Sequence, residues 1–210
     1  MVELNFCDAT RNSSFEFNYC IYNKDYMRFS NGDVHKKIQQ QGVARTMQRN
    51  IFEFCQENDL SKISVLALDL GAYAWARVGF VPKLIDWYAA RKKLDVRFED
   101  LRRQTPLSAK PSLSSCFNRI SKAIKSKNPK SIWDIVDENE PFYFNPKISW
   151  GKALMLPNRI LPLYMQVAAT NISYSGSLDL KDNDCINRIE NYVYGKNQTK
   201  TKAKIHQIGN

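Results

Sequence analysis

Between Val34 and Pro82 the chain reads VHKKIQQQGVARTMQRNIFEFCQENDLSKISVLALDLGAYAWARVGFVP, and this stretch restricts the fold more than any other. From Val43 to Glu57 the apolar residues Val43, Met47, Ile51, Phe54 and Cys55 recur at three- and four-residue spacing. That spacing predicts a helix with one buried stripe and with Arg45, Gln48 and Arg49 facing outward. Ile63–Leu68 is a near-continuous apolar run, as expected of a strand covered on both faces. Gly71–Val78 reads as a short helix closed by Gly79, after which Phe80-Val81 re-enters a sheet. With a strand ending near Val34, the order is strand, helix, strand, helix, strand, a βαβ-type unit. The turn Gln39-Gln40-Gln41-Gly42-Val43-Ala44 falls where the first helix begins. Backbone N–H groups and the helix dipole make such a place an anion site of a size to take a cofactor's pyrophosphate.

In front of this unit, residues 2–8 and 15–22 read as a strand pair, and Tyr26–Ser30 as a third strand. Asn31-Gly32-Asp33 then forms a tight turn, or else Tyr26–Val34 is a broken strand bulging at Gly32. Behind it, Leu84, Trp87, Tyr88, Arg91, Leu94, Phe98 and Leu101 keep helical spacing until Thr105-Pro106 and Lys110-Pro111 break it. Ser112–Lys127 carries a second apolar stripe, and Asn128-Pro129 opens a further turn of helix through Ile135. Strand signals return at Ala153–Leu156 and Ser177–Leu180, and Asn183–Tyr194 is amphipathic through Ile186, Ile189 and Val193. The chain thus reads as one domain over residues 1–195, with a core (1–82), a helical insertion (83–137) and C-terminal strands and helix (138–195). The polar stretch 196–210 is a basic tail.

The net charge of +10 is concentrated. Residues 1–82 are neutral, 83–130 carry 13 basic against 4 acidic side chains, and 196–210 carry 4 lysines and no acid. A block of this kind attracts a nucleic acid, an anionic cofactor or an acidic protein, or is simply a solvated helix face. The five cysteines are scattered and never spaced as CxxC, which fits reduced thiols rather than a disulfide framework or a zinc site. Two histidines, His35 and His206, argue against a histidine-built metal site. No apolar run approaches the ~20 residues of a membrane span, and MVELNFCDAT has neither the basic nor the apolar region of a secretion signal. These features lead to the expectation of a cytoplasmic protein without a membrane span.

The ordered set of Val34-His35, Gln39-Gln40-Gln41-Gly42-Val43-Ala44, the ISVLAL run and Gly79-Phe80-Val81-Pro82 resembles the GCN5-related N-acetyltransferase (GNAT) superfamily over about residues 27–82. The match departs at Lys36, where proline is usual. The segments SIWDIVD, GKALML and YSGSLDLKDNDCINRIENYV are also similar to GNAT-like domains of phage virion proteins and secreted toxins, which leaves delivery into a host cell open. The resemblance implies an α+β fold, a mixed, mostly antiparallel sheet flanked by helices, here with a basic helical insertion. It implies acetyl-CoA or another acyl-CoA as cofactor, its pyrophosphate on the turn Gln39, Gln40, Gln41, Gly42, Val43, Ala44 and Arg45, and its pantetheine along the strand around Val34. Arg45 or Lys37 would add a charge-assisted contact.

Transfer to an amine of a protein or small molecule is the implied reaction. The family usually has a tyrosine four residues before the Gly of its Gly-Phe pair, the acid that reprotonates the leaving thiolate; here that residue is Trp75. Tyr73, two residues earlier and about 200° around a helix, takes that role only if the helix start is displaced, and is otherwise a packing aromatic. Asp69, at the strand's carboxyl end, is a candidate to orient the amine or accept its proton, or is a helix N-cap. His35 is a further candidate base. Besides an enzyme, the residues admit a binding module that has lost catalysis and a nucleic-acid-binding protein using residues 83–130.

Overall fold

A computed structural model describes residues 2–7, 15–22, 25–34, 42–157 and 171–195, and these form an α+β protein. The chain divides into two compact units, Met1–Val65 with Ser177–Asn210, and Leu66–Gly176.

The first unit begins with strands β1 (Val2–Cys7), β2 (Phe15–Tyr22) and β3 (Tyr26–Val34), consecutive antiparallel neighbours. Residues 31–33 form neither the expected tight turn nor a break at Gly32: Tyr26–Val34 is one strand. Asn18 pairs with Asn31 and Tyr19 with Phe29, so the irregularity falls at Ser30 and not at Gly32. The pairs Phe17↔Gly32 and Glu16↔Asp33 explain the difference: a turn at 31–33 would strip β2 of those partners. Tyr19 is wholly buried, its ring 5.1 Å from that of Phe29.

Strand β4 (Lys62–Ala67) runs parallel to β3 through Tyr26↔Lys62, Met27↔Ile63 and Arg28↔Ser64, and β8 (Tyr174–Asp179) follows β4 in the strand order β1-β2-β3-β4-β8 of this unit. Parallel neighbours need a crossover, which helix α1 (Val43–Glu57) supplies. Met47, Ile51 and Cys55 lie buried as the periodicity predicts, joined by Phe52. Gln48, expected outside, is buried as well, and its Nε2 donates to the Tyr19 hydroxyl at 3.4 Å. Helix α7 (Asn183–Tyr194) packs on α1; the Tyr194 hydroxyl donates to Glu53 at 2.6 Å. Asp182 caps α7 by accepting from the Asp184 and Cys185 amides. The expectation that ISVLAL is covered on both faces is corrected: Ile63, Val65 and Ala67 are buried, whereas Leu66 is 50% and Leu68 54% exposed. Apolar side chains occupy both faces of the strand, and only one face meets a core.

In the second unit helix α2 (Leu70–Val78) ends at Gly79, whose φ of 125° lets its N–H and that of Phe80 turn back to Trp75 O. Strand β5 (Val81–Pro82) lies beside the first half of β8. The basic region is two long helices, α3 (Leu84–Gln104) and α4 (Lys110–Lys125). Lys110-Pro111, read as a break, opens α4 instead, because proline fits a first helical turn whose N–H groups lack partners. Helix α5 (Ser131–Val136) comes next, then the short strand pair β6 (Pro141–Phe142) and β7 (Asn145–Ser149), which no sequence signal marked. The expected strand at Ala153–Leu156 is helix α6 (Trp150–Met155), capped by the Ser149 hydroxyl accepting from the Lys152 amide at 3.2 Å. A four-residue apolar run fits a buried strand or a buried helix equally, and the cap decides. Trp150 is wholly buried, its ring edge-on to Phe117 (5.1 Å) and Phe142 (4.9 Å).

Gly151 sits against one α5 carbonyl and one just after the helix: a Cβ there would overlap Ile135 O and lie 3.0 Å from Glu138 O. Gly151→Ala is expected to cost about 1–3 kcal/mol, read as a lower urea midpoint at unchanged slope; an unaltered midpoint would show that α6 can move away freely.

Candidate functional site

In the first unit, β3 ends at Val34 and the chain resumes at Gly42, immediately before α1. His35, Lys37 and the glutamines Gln39, Gln40 and Gln41 lie outside the described residues. Gly42 is exposed and left-handed, with φ 83° and ψ 1°, and accepts from the Thr46 amide at 2.9 Å. Among the described residues, chain neighbours aside, no heavy atom lies within 4 Å of where its Cβ would stand. No side chain caps α1, and no acid occupies its first turn. The amides of Val43, Ala44 and Arg45 therefore begin a helix without intrahelical acceptors, beside open space. Ala44 and Arg45 are exposed and Val43 half-buried. The Arg45 guanidinium stands over the Tyr192 ring of α7, 5.6 Å from its centre. Along β3, the parallel register with β4 covers Tyr26–Arg28, and the strand continues past it to Val34. Val34 pairs with Phe15 on its antiparallel side.

In the second unit Asp69 stands at the turn from β4 into α2, in the N-cap position. Its side chain does not cap the helix, so one of the two roles read for it falls away. One carboxylate oxygen accepts instead from Asn171 Nδ2 at 2.8 Å. The backbone is left-handed, φ 50° and ψ −122°, a region an L residue with a Cβ occupies only under strain. Tyr73 is half-buried in α2, one turn beyond Asp69. Helix α2 is regular from Leu70, so Tyr73 and Trp75 keep their separation around the axis. Trp75 packs edge-on to Phe80, ring centres 4.9 Å apart, and against Gly71. Each residue group is thus gathered within its own unit: Val34 and Gly42–Arg45 in the first, Asp69 and Tyr73 in the second.

A constellation that no sequence pattern announced lies along α4 and α5. A cleft of about 750 Å³ is lined by Arg119, Lys122, Asp134, Asp137, Glu138 and Glu140, among others. Glu138 is buried and takes a two-pronged ion pair from Arg119, at 2.8 and 3.0 Å, and the Glu140 amide at 3.1 Å. Nineteen residues separate the partners, beyond any local spacing rule. Burial pushes the Glu138 carboxyl up, but the Arg119 and Glu140 hydrogen bonds and the Arg119 charge together bring it below the usual carboxylate value.

Several cations of the basic block are engaged within it: Arg102 with Glu99 and Arg103 with Asp100 along α3, and Arg91 with the Ser126 carbonyl after α4. Of its aromatics, Trp87 and Phe98 are buried, and Tyr88 carries Arg91 over its ring at 5.2 Å. Among the described residues no group of His, Cys, Asp or Glu is placed to hold a metal ion, and no helix is long and apolar enough to cross a membrane. Cys20, Cys55, Cys116 and Cys185 are free thiols. Burial pushes the Cys55 and Cys116 thiols up to about 12, the wrong direction for a nucleophile at neutral pH.

Two outcomes are expected. Because the folded Glu138 value lies below the unfolded one of about 4.3, its contribution is fully present above that value and is lost as pH falls through the folded value. Glu138→Gln should accordingly flatten the acid limb of a stability-versus-pH curve, and an unchanged limb would count against the ion pair. Asp69→Gly should release about 1 kcal/mol of left-handed strain, so its urea midpoint should equal or exceed that of the unaltered protein. A fall of more than about 1 kcal/mol would show that the Asn171 bond outweighs the strain.

Comparison of the chain with protein-family models, with curated proteins and with solved structures finds no match.

Proposed function

We propose that this chain is an acyl-CoA-dependent N-acyltransferase, an acetyltransferase in its simplest form, acting by direct transfer to an amine of a protein or small molecule. The observation that carries the reading is the start of α1: an uncapped, acid-free helix N-terminus opened by an exposed left-handed glycine. Open space at the Gly42 Cβ position fits a phosphate approaching the backbone closely. The order of elements supports it further, since β3–α1–β4–α2–β5 follows the order of the resembling motifs. The amides of Val43, Ala44 and Arg45 would hold the pyrophosphate, and the part of β3 beyond Arg28 would offer backbone groups to the pantetheine amides.

When bound, acyl-CoA supplies a thioester carbonyl activated toward amines. The chain's own residues then have two tasks. Asp69, oriented by Asn171, would accept a proton from the substrate ammonium, freeing the amine's lone pair for attack, or from the amine nitrogen as it attacks. A donor for the departing thiolate is the weak point: Trp75 has no titratable proton, and Tyr73 stands elsewhere on α2. That same residue favours the second reading, a GNAT-like module that binds acyl-CoA without turnover, since a fold does not carry its chemistry automatically.

Calorimetric titration with acetyl-CoA compares the protein with Gly42→Glu, which sets a carboxylate against the proposed phosphates and a side chain on a left-handed backbone. Binding by the unaltered protein, weakened at least about tenfold (1.4 kcal/mol) in the variant, is expected, with circular dichroism unchanged. No binding, or equal binding by both, would overturn the cofactor assignment. Asp69→Asn then separates the two readings: loss of label transfer from acetyl-CoA with binding retained belongs to an enzyme, while absence of transfer in every form belongs to a module.

A further inference from the structure

Arg97 lies on the apolar stripe of α3, between Leu94 and Leu101, with no solvent exposure. Among the described residues none of Nε, Nη1 and Nη2 finds a hydrogen-bond partner. The acids nearest in sequence are engaged elsewhere or turned outward: Glu99 by Arg102, Asp100 by Arg103, and Asp95 in solvent. In the same core the Trp150 indole Nε1 is also buried and unpartnered. Phe98 links the two regions, edge-on to Phe117 at 5.8 Å, which is edge-on to Trp150 at 5.1 Å. The buried, unsatisfied side-chain atoms described in the second unit are thus all donors. A guanidinium and an indole N–H can only donate, so what this core lacks is an acceptor, and for Arg97 a negative charge.

An unpaired charge of this kind is among the most expensive things a protein can bury. Burial lowers the Arg97 guanidinium only to about 10, so the group stays protonated at neutral pH. Neutralisation by proton loss is therefore not the way out. We propose that Arg97 is the anchor of an internal anion site in the second unit, taking a small anion and best a planar carboxylate, whose two oxygens match the guanidinium fork. The fork geometry distinguishes Arg from a point charge such as Lys. The site is separate from Gly42–Arg45, which belongs to the other unit, and does not depend on the acyl-CoA reading.

The test measures the thermal unfolding midpoint of protein dialysed into sodium methanesulfonate, while acetate or chloride replaces the bulky anion at constant ionic strength. Constant ionic strength removes general screening, which acts on every surface charge alike. A saturable rise in midpoint is expected, at lower concentration for acetate than for chloride, because a ligand binding only the folded state stabilises by mass action. Arg97→Met should abolish the response, and should unfold no earlier than the unaltered protein when both lack acetate and chloride. Arg97→Lys keeps the charge and loses the fork, and should need at least about tenfold more acetate for half its effect. No saturable response of the unaltered protein to either anion would overturn the proposal, as would an equal response in Arg97→Met. The first of these outcomes needs no variant to fold.

Discussion

A parallel pair of strands cannot be closed by a turn, and this constraint organises the first unit. Three residue pairs join β3 to β4, and the Ser61 amide and hydroxyl both donate to the Asp25 carbonyl just before they begin. The chain must leave β3 at one end and return at the other, so a helix must cross between them. That helix begins at Val43, the next described element after β3, and its first amides have no helical partners. The candidate anion site is therefore a by-product of topology before it is anything else. What the residues add is permission: Gly42 supplies the left-handed entry, and the lack of a capping side chain or an acid in the first turn keeps the amides available.

The second unit is held by a different means. Its helices close on aromatic edges, Phe98 on Phe117 and Phe117 and Phe142 on Trp150, and on one very close approach, Gly151 beneath the Ile135 carbonyl. Such packing tolerates little change in volume. Around it the polar groups divide sharply. Glu138 is buried with the Arg119 fork and the Glu140 amide directed at it, whereas Arg97 is buried with none of its donors answered among the described residues. The two sites show the same rule from opposite sides, since a buried charge is tolerable when its counter-charge comes with it.

Long, strongly periodic elements were legible in the sequence. Helices α1 and α7 occupy the residues their apolar spacing marks, and Gly79 ends α2 as its position implies. Less legible were features decided by tertiary partners. Lys110-Pro111 can begin a helix or end one, and here the stripe from Leu113 onward packs and makes it a beginning. The run ALML becomes a helix because Ser149 caps it, and Leu66 and Leu68 are apolar without being covered. Gln48 is read as outward by its chemistry and is drawn inward by Tyr19. For the candidate site, Gly42 and Asp69 were legible as residues. The left-handed backbone of Asp69 and its bond to Asn171 were not, because the partner lies 102 residues away. Arg119–Glu138 and the isolation of Arg97 are likewise matters of three-dimensional proximity, for which no local pattern exists.

The division of the chain also sets an order of events. The first unit is discontinuous: its later part starts at Ser177, after the whole of Leu66–Gly176. On a ribosome, the second unit has all its residues before the first does, and its helices can pack through contacts close in sequence, which form fast. The first unit must wait, with β4 lacking one neighbour, until Leu180 arrives to donate to the Ser61 carbonyl. Closing that long loop costs little more entropy than closing a short one, but it comes late. Until then the β4 edge is open to the wrong strand, from this chain or another. The step most exposed to misassembly during synthesis is therefore the seating of β8, and crowding of nascent chains should damage that step first.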